Sequence, residues 1–530
     1  MKRTALALWA GMGLLSLNAY AAKTLTVCTE NSPQGFDIAQ YDAIVTMDAS
    51  MEPLYNRLVE FERGTTKVVP GLADSWEISP DGLTYTFKLH KGVQFHSTDY
   101  FKPTRPMNAD DVVFSFQRMI DPNHPWHKLA KAGFPYAESM EFSKLVKSVE
   151  KLDDYTVRLT LNRPEAPMIA NLAMGFASIF SAEYAAQLLK DNRSEDLNSK
   201  PIGTGPFILK RYEKDAQVRY VAHPTYFRGR AKLDNLIFAI TTDPIVRMQK
   251  LKANECQIAL YPKPTEVPVL KEDPNLRVVS MNQLNISYLA FNVEHKPLNN
   301  KLVRQALSHA VDKQSYIKAL FGVGNAIPAV NPFPPSMWGY NKSTKDYEYN
   351  PEKAKELLAK AGYPNGFDLT IWTRIGGASN LPNAKLAAEM VQADWKKIGV
   401  NATIQQLEWG EVLKRTRKGE HDTMFIGWTG DNGDPDNFMT PILSCQAAQS
   451  GDNRARWCNQ EFDTLLDKAK ATSNVRQRTQ LYEAAQKLFK EEAPWLTLVH
   501  PSVFVATRKN VSGYVMNPLG TNNYYKVTVQ

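Results

Sequence analysis

The fold class is decided by the stretch Phe367-Asp-Leu-Thr-Ile-Trp372, which predicts a strand. Residues 383–398 then have the apolar spacing of a helix, and residues 400–405 predict a second strand. A helix between two strands is the usual connection of a parallel sheet. Because strand and helix segments also alternate before and after this stretch, we expect two α/β lobes with additional pieces.

Other local patterns place shorter elements in the first half of the chain. Residues 76–89 alternate on both sides of a Pro-Asp-Gly turn and predict a hairpin. Asn108, followed by two acids and an apolar stripe, predicts the start of a helix. Residues 167–188 predict a helix with an interruption near Gly175. The glycines within 202–207 lack the Lys-Ser/Thr of a phosphate loop, which favours a turn leading into a strand.

Residues 1–21 have the pattern of a secretory signal peptide. Lys2 and Arg3 give a positive start, residues 5–17 form an uncharged apolar run, and Ala19-Tyr-Ala21 places small residues at the cleavage positions. The apolar run is too short to span a membrane. Since no cysteine lies at the cleavage point, we expect cleavage after Ala21 and a soluble exported protein without a lipid anchor.

The net charge of +8 is spread over the 530 residues. The composition, 43% hydrophobic and 22% charged, is typical of a globular protein long enough for more than one domain. Acids interleave the basic residues, and we find no basic stripe that suits a nucleic-acid backbone. We therefore interpret the charge as a solvated basic surface.

The chain has four cysteines, and in an exported protein two disulfides are the default interpretation. Cys445 and Cys458 are close in sequence and suit a local disulfide, in which case Cys28 would join Cys256. The competing hypothesis is a metal site. It is disfavoured because the spacings match no zinc pattern and no histidine lies close to these cysteines in sequence.

The segment from Gly427 to Phe438 combines three carboxylates, three glycines and a proline after a short apolar run. Glycine permits close approach of the backbone to a ligand, and a carboxylate near an indole suits an ammonium group. On turn chemistry alone, however, a solvated acidic turn is the favoured interpretation.

Enzyme motifs are missing from the sequence. The chain has no Gly-x-Ser-x-Gly elbow, His-Glu-x-x-His helix, phosphate loop or Cys-x-x-Cys pair. Its nine histidines are more typical of packed or surface positions than of catalysis. We expect no enzyme activity, metal or cofactor. Because a Ser-His-Asp triad leaves no contiguous signature, a secreted hydrolase stays open as an alternative.

Several motifs resemble family 5 of the extracellular solute-binding proteins, the peptide-, nickel- and haem-binding receptors of ABC importers. The motifs are Leu72–Trp76, Asp81–Phe87, Gly92–His96, Asn108–Phe116, Pro201–Phe207, Val303–Leu307 and Gly427–Phe438. The resemblance covers essentially the whole chain after the signal peptide. It is strongest to the periplasmic dipeptide receptors of Gram-negative bacteria, and residues 122–154 also resemble a receptor associated with antimicrobial-peptide resistance.

The resemblance implies an α/β, two-lobed periplasmic binding-protein fold of class II, cluster C type, with an additional third domain. Domain I would comprise residues 22–55, 204–275 and 500–530. Domain II, the added one, would comprise residues 56–203, and domain III residues 276–499. Each disulfide would then lie inside one lobe and leave the hinge between the lobes free.

The resemblance also implies a ligand site. It places Asp431 on the ammonium group of a peptide, with Trp428 and Gly430 lining the same pocket. The segment from Ser32 to Phe36, which includes Gly35, would face them from domain I. Asp434 and Asp436 would be turn-forming carboxylates beside Pro435.

One position departs from the family pattern. Dipeptide receptors carry an arginine for the ligand carboxylate at the position of Ala378, between the strand that ends at Trp372 and the Pro-Asn-Ala of residues 382–384. Arg374 is the nearby arginine. Two hypotheses stay open: Arg374 replaces the missing residue, or it is a solvated loop residue and no arginine holds the carboxylate.

The resemblance thus implies a periplasmic, monomeric receptor that delivers di- or tripeptides to an ABC permease and ATPase complex, with a chemoreceptor as a further candidate partner. The alternative within the same fold is a receptor for haem, for longer or antimicrobial peptides, or for another solute.

Overall fold

The computed structural model describes residues 22–530, so the predicted signal peptide lies outside the described residues. The strands are β1 (Thr24–Thr29), β2 (Val59–Phe61), β3 (Val68–Pro70), β4 (Ala73–Ile78), β5 (Thr84–Leu89), β6 (Val146–Asp153), β7 (Thr156–Leu161), β8 (Phe207–Glu213), β9 (Gln217–Ala222), β10 (Asn235–Ile240), β11 (Ile258–Leu260), β12 (Leu276–Asn282), β13 (Asn285–Phe291), β14 (Ala326–Pro328), β15 (Phe367–Arg374), β16 (Val400–Leu407), β17 (Thr423–Thr429), β18 (Trp495–Arg508), β19 (Val511–Ser512) and β20 (Thr528–Val529).

The α-helices are α1 (Ile44–Leu54), α2 (Ala109–Ile120), α3 (Pro125–Lys128), α4 (Pro135–Ser139), α5 (Phe142–Leu145), α6 (Met168–Asn171), α7 (Ala182–Lys190), α8 (Asp196–Ser199), α9 (Pro244–Lys252), α10 (Val267–Glu272), α11 (Lys301–His309), α12 (Lys313–Phe321), α13 (Pro351–Lys360), α14 (Ala384–Lys396), α15 (Trp409–Arg417), α16 (Thr440–Leu443), α17 (Cys445–Ser450), α18 (Gln460–Lys470) and α19 (Val475–Glu492). Short 3-10 helices lie at Ile38–Gln40, Gly175–Ala177, Pro264–Glu266 and Pro435–Phe438.

One long sheet runs through most of the molecule, with the strand order β16-β15-β17-β13-β18-β11-β1-β10-β9-β8. Strand β18 joins its two halves, because its first residues pair with β13 and its last residues pair with β11 and β12. The predicted β15-α14-β16 unit is confirmed, and its two strands pair in parallel. We call the half that contains β1, β8–β11 and the end of β18 the N-terminal lobe, and the half that contains β13 and β15–β17 the C-terminal lobe.

The buried side chains form separate clusters in the two lobes. One cluster contains apolar residues between Leu25 and Tyr261 together with residues between Val503 and Val527. Two other clusters lie between Ile286 and Val499. Trp428 packs against the first cluster and against one of the other two, so it lies where the lobes meet.

Residues 56–203 contain a separate antiparallel sheet of the order β4-β5-β7-β6, and we call this segment the added domain. Helix α2 packs on it, and Asn108 is its N-cap as predicted. The Asn108 side chain accepts a hydrogen bond from the Asp110 backbone N–H at 3.0 Å. The Asp111 carboxylate in turn accepts one from the Asn108 backbone N–H at 2.9 Å. This capping box explains why the helix begins directly after Asn108.

The helix predicted over residues 167–188 is wrong in extent. The structure has a single turn, α6, a 3-10 turn at Gly175–Ala177, and a new helix, α7. Gly175 is tightly packed, since a Cβ there would lie 3.1 Å from Met51 Sδ and 3.3 Å from Ile38 Cγ1. Ser181 then starts α7, because its hydroxyl accepts a hydrogen bond from the Tyr184 backbone N–H at 3.1 Å.

Both predicted disulfides are present, and each stays within one lobe. Cys28 in β1 is bonded to Cys256, just before β11, in the N-terminal lobe. Cys445 is bonded to Cys458 in the C-terminal lobe. Within residues 22–530 no helix has the length and apolar character to cross a bilayer, and no group of three or more His, Cys, Asp or Glu side chains is placed to hold a metal ion.

Candidate functional site

A cavity lies between the two lobes and contains about 1020 Å³ of atom-free space, part of it open to solvent. The N-terminal lobe contributes Glu30 and the segment 42–45, which leads into α1. The C-terminal lobe contributes the end of β15 with the loop 378–381, and the end of β17 with Asp431. In the parallel β15-β16 unit, the loop after β15 leaves the sheet at the carboxyl edge, where α/β proteins usually bind ligands.

The loop that follows β17 is buried, so its interpretation as a solvated acidic turn is wrong. The carboxylate of Asp434 accepts two hydrogen bonds of 2.8 Å from the guanidinium of Arg478. Asp436 accepts a hydrogen bond of 2.6 Å from the Thr440 hydroxyl. Asp434 also accepts a hydrogen bond from the Asp436 backbone N–H at 3.0 Å, which starts the 3-10 turn at Pro435–Phe438. These two acids hold the loop in shape and do not line the cavity.

Asp431 lines the cavity and is 8% exposed. Its backbone N–H donates to the Asn437 side-chain oxygen at 2.7 Å, and its carboxylate accepts hydrogen bonds from the Asn437 amide at 3.4 Å and from the Tyr136 hydroxyl. Burial raises the pKa of Asp431 to about 7, although both hydrogen bonds act in the opposite direction. The carboxylate therefore lacks a cationic partner among the described residues, and a ligand ammonium would supply one.

The residues around Asp431 have different roles. Trp428 lines the cavity, and its indole N–H donates to the Asn437 side-chain oxygen at 3.3 Å. Gly427 also lines it, and a side chain there would collide with the Asn380 amide. Gly430 does not line it. A side chain at Gly430 would collide with the Phe438 ring, so this glycine permits close packing of the loop.

Arg374 is the last residue of β15 and lines the same cavity as Asp431. It is 6% exposed, and its guanidinium lies over the Trp409 ring, 4.8 Å from the ring centroid. The hypothesis of a solvated loop arginine is therefore wrong. Nε and Nη2 are buried without a hydrogen-bond partner among the described residues, and burial lowers the pKa of Arg374 to about 10.

Ala378 lines the cavity beside Arg374, in a tight turn where its backbone exchanges hydrogen bonds with Leu381. Its methyl side chain has no hydrogen-bonding group. The guanidinium in this wall of the cavity therefore comes from Arg374, four positions earlier in the chain.

Ser32 and Gly35 do not line the cavity that contains Asp431. The Ser32 hydroxyl donates to Asp215 at 2.7 Å and lines a second, adjacent cavity with about 2310 Å³ of atom-free space, part of it open to solvent. A side chain at Gly35 would collide with Asn198 and with the Tyr41 hydroxyl, so this glycine permits close packing of the N-terminal lobe on the added domain.

Three residues of the site were missed in the sequence. Glu30 and Asp42 line the cavity from the N-terminal lobe, and Tyr136 of the added domain contacts Asp431 from behind. Glu30 directly follows β1, so a carboxylate at the end of a predicted strand was an available signal. Asp42 and Tyr136 carry no local signal, because only the packing of distant segments brings them to the cavity.

The cavity combines a buried carboxylate, Asp431, and a buried guanidinium, Arg374, and neither makes a direct ion pair within residues 22–530. Burial lowers the pKa of Arg374, and the charge of Glu30 in the same cavity acts in the opposite direction. Aromatic and aliphatic side chains, including Trp428 and Trp409, line the space with them. No histidine or cysteine is among the lining residues. The arrangement is suited to hold a molecule with separated positive and negative charges in a partly apolar environment.

Residues 67–450 match the family described as bacterial extracellular solute-binding proteins, family 5 Middle. The chain is 54% identical over 519 residues to Di/tripeptide-binding protein 4 of Pseudomonas aeruginosa (strain UCBPP-PA14), and the match covers 98% of this chain and 97% of that protein.

Two solved structures are similar over nearly their whole length. One is the dipeptide binding protein of Pseudoalteromonas sp. SM9913 in complex with Met-Leu, with a TM-score of 0.94, 37% identity, and coverage of 96% of this chain and 100% of that chain. The other is the ABC transporter-associated periplasmic binding protein DppA of Helicobacter pylori in complex with the peptide STSA, with a TM-score of 0.92, 40% identity, and coverage of 96% and 98%.

The chain belongs to family 5 of the bacterial extracellular solute-binding proteins. It has the α/β fold of this class, with two lobes and an additional domain, as the sequence resemblance predicted.

Proposed function

We propose that this chain is the substrate-binding component of an ABC importer for short peptides, and that it binds di- and tripeptides between its lobes. The observation that carries the proposal is the presence of Asp431 and Arg374 in one interlobe cavity, each buried without an ionic partner among the described residues. A peptide zwitterion has the complementary charges. The peptide ligands of the similar receptors support the same class of ligand.

The ammonium group of the peptide is assigned to Asp431. The carboxylate is held by Asn437 and Tyr136, so its position is set before the ligand arrives. Trp428 beside it supplies an aromatic surface, which favours a cation. Gly427 and the Asn380 amide form the adjacent wall, where backbone atoms of an extended ligand would lie.

The carboxylate group of the peptide is assigned to Arg374, which replaces the arginine that the family carries at the position of Ala378. A buried guanidinium with two unpaired nitrogens is costly, and a carboxylate would satisfy both by accepting two parallel hydrogen bonds. Trp409 holds the guanidinium in place. Gly430, Ser32 and Gly35 contribute to the shape of the loop and of the lobe interface instead of touching this ligand.

Closure of the lobes around the ligand follows from the domain division, which we propose at 22–55, 204–275 and 500–530 for domain I, 56–203 for domain II and 276–499 for domain III. Strand β12 modifies this division, since it pairs with Ser502–Arg508 and so packs with domain I. Neither disulfide links the two lobes, which leaves them free to rotate. Closure excludes water and strengthens both ion pairs.

We place the mature protein in the periplasm of a Gram-negative cell, after cleavage of residues 1–21. Its partners would be the permease and ATPase of the importer, with a chemoreceptor as a further candidate, and the receptor would act as a monomer without catalysis. The family match supports the export and the binding role. N-terminal sequencing of the periplasmic protein should begin at Ala22.

A longer peptide is the second candidate ligand. The second cavity, with about 2310 Å³ of atom-free space, shares Asp42, Leu413 and Arg454 with the first, so the two cavities are contiguous. A ligand that extends past this boundary would occupy both. Binding of a pentapeptide at least as tight as that of Ala-Ala would favour this candidate.

The test is isothermal titration of the purified protein with Ala-Ala, N-acetyl-Ala-Ala, Ala-Ala amide and haem, with mass spectrometry of the peptide afterwards. We expect Ala-Ala to bind and to remain intact, and each blocked peptide to bind at least tenfold more weakly because one ion pair is lost. Binding of haem without any peptide would refute the proposal, and hydrolysis of Ala-Ala would refute the absence of catalysis.

A further inference from the structure

We infer that Asp42 makes the site selective for peptides with a basic side chain on their first residue. The inference rests on the proposed peptide-binding function and extends it to a substrate class. It follows from the position of Asp42 between two cavities and from the absence of an ionic partner for it among the described residues.

Asp42 lies in the N-terminal lobe, two residues before α1, and lines both cavities. Asp431, on the opposite lobe, lines only the first of them. Asp42 is therefore on the side of the ligand site that opens toward the larger cavity. The charge of Asp42 acts on Asp431, so under this proposal a long basic side chain on a first residue anchored at Asp431 would extend to Asp42.

Within residues 22–530 the carboxylate of Asp42 makes no side-chain hydrogen bond and no direct ion pair, although the charges of Arg417 and Arg454 act on it. The guanidinium groups nearby contact other carboxylate and carbonyl groups, although Nε of Arg454 has no hydrogen-bond partner among the described residues. Arg417 pairs with Asp452 at 2.6 Å and donates to the Ala132 carbonyl at 3.1 Å. Arg454 lies 3.6 Å from Asp452 and donates to the Gly451 carbonyl.

The electrostatics agree with this geometry. Burial raises the pKa of Asp42, and the charge of Asp452 raises it further, against the effect of Arg417 and Arg454. The net direction is upward, so Arg417 and Arg454 offset only part of the cost of burying this charge. The charge of Asp42 in turn raises the pKa of Asp431. Two carboxylates from opposite lobes thus face one ligand, and a peptide with two positive charges at its first residue would compensate both.

The competing explanation is that Asp42 serves only in closure, by attracting Arg417 and Arg454 across the cleft. That role would affect every ligand to the same extent. Selectivity for a basic first residue would change the relative affinities of peptides that differ in charge at that position. A set of matched peptides therefore distinguishes selectivity from a role in closure alone.

The experiment is titration of the wild type, Asp42→Asn and Asp99→Asn with Arg-Ala, Ala-Ala, Glu-Ala and Ala-Arg at pH 8, where Asp42 is more fully ionised. Asp99 is exposed and lines neither cavity, so Asp99→Asn controls for the loss of one negative charge. We expect the wild type and Asp99→Asn to bind Arg-Ala about tenfold more tightly than Ala-Ala, and Glu-Ala more weakly.

In Asp42→Asn we expect the preference for Arg-Ala over Ala-Ala to disappear, while the ratio of Ala-Arg to Ala-Ala stays as in the wild type. Equal affinity of wild type for Arg-Ala and Ala-Ala overturns the inference but leaves the peptide function standing. An equal loss for all four peptides in Asp42→Asn also overturns it, in favour of closure. If none of the peptides binds the wild type, the proposed function itself fails.

Discussion

The hydroxyl of Tyr136 donates a hydrogen bond to the carboxylate of Asp431, which lies 295 residues further along the chain. Tyr136 belongs to the added domain and Asp431 to the C-terminal lobe, so this contact connects the added domain to the amine end of the proposed site. A hydrogen bond donated to a carboxylate favours its ionised form. Burial raises the pKa of Asp431, and the added domain, through Tyr136, lowers it in part.

Tyr136→Phe should raise the pKa of Asp431 above its value of about 7, because the hydrogen bond from the hydroxyl lowers it. We expect weaker binding of Ala-Ala at pH 7 and a smaller loss at pH 9, measured by titration calorimetry. Tyr184→Phe is the control, since the Tyr184 hydroxyl donates to the Lys200 carbonyl at 2.8 Å, outside both cavities. An equal loss of affinity for Ala-Ala at pH 7 and pH 9 would show that Tyr136 does not act through the pKa of Asp431.

Asp431→Asn should lower the affinity for Ala-Ala by about 2–5 kcal/mol, because the ligand ammonium loses its buried anionic partner. Affinity for N-acetyl-Ala-Ala should change little. The folded-state pKa is raised, so the stabilisation from the protonated acid is present below the unfolded value and is lost as the pH rises through about 7. The variant without ligand should therefore melt higher than the wild type at pH 8. Unchanged affinity for Ala-Ala would exclude Asp431 as the amine anchor.

Peptide affinity should fall as the pH drops below 7. Asp431 without ligand has a pKa of about 7, and an ammonium group binds its ionised form, so binding at pH 6 must release a proton. Calorimetry in buffers of different ionisation enthalpy measures this proton. Asp431→Asn should release none, and equal release by that variant would assign the proton to another group.

Arg374→Met should weaken the binding of Ala-Ala by about 2–5 kcal/mol and leave Ala-Ala amide nearly unaffected, because only the free carboxylate pairs with the guanidinium. The melting temperature without ligand should stay equal or rise, since a buried unpaired charge is removed. Arg415→Met is a matched control, because Arg415 also lies over a tryptophan, Trp372, at 4.8 Å, but lines neither cavity. If Arg374→Met binds Ala-Ala as tightly as the wild type, Arg374 does not hold the ligand carboxylate.

Removing each disulfide by paired Cys→Ser changes should lower the free energy of unfolding. The loss should grow with the logarithm of the number of residues in the loop that the disulfide closes. The Cys445–Cys458 pair has a sequence separation of 13, for which the chain-entropy relation gives about 3 kcal/mol. The Cys28–Cys256 pair, with a separation of 228, corresponds to about 5 kcal/mol. Urea unfolding measures both, and Ala-Ala affinity should persist in each variant because neither disulfide lines the cavity.

The elements with strong local signals were predictable. The β15-α14-β16 unit follows from apolar spacing, and α2 follows from the cap at Asn108. The prediction of one helix over residues 167–188 was wrong in extent. Met51 packs on Gly175, and the cap at Ser181 starts a new helix within the segment. Local propensity does not include such contacts.

The candidate site was predictable only in part. Asp431 and Trp428 lie in one short segment, so their closeness in space follows from the sequence. The burial of Arg374 depends on Trp409, which belongs to a different element. The expected positions of Ser32 and Gly35 in the Asp431 cavity differ from the structure for the same reason, since Asp215 and Asn198 determine where these two residues lie.

The sequence by itself determined the main helices and strands, the local disulfide between Cys445 and Cys458, and the acidic segment after β17. These depend on residue type and on short-range spacing. The tertiary structure alone decided which charges face one cavity, because Asp42, Arg374 and Asp431 are far apart in the chain and come from two lobes. It also brings Tyr136 of the added domain to Asp431. Whether a charge finds a partner is a property of that packing, and within residues 22–530 it leaves Arg374 and Asp431 without a direct ion pair.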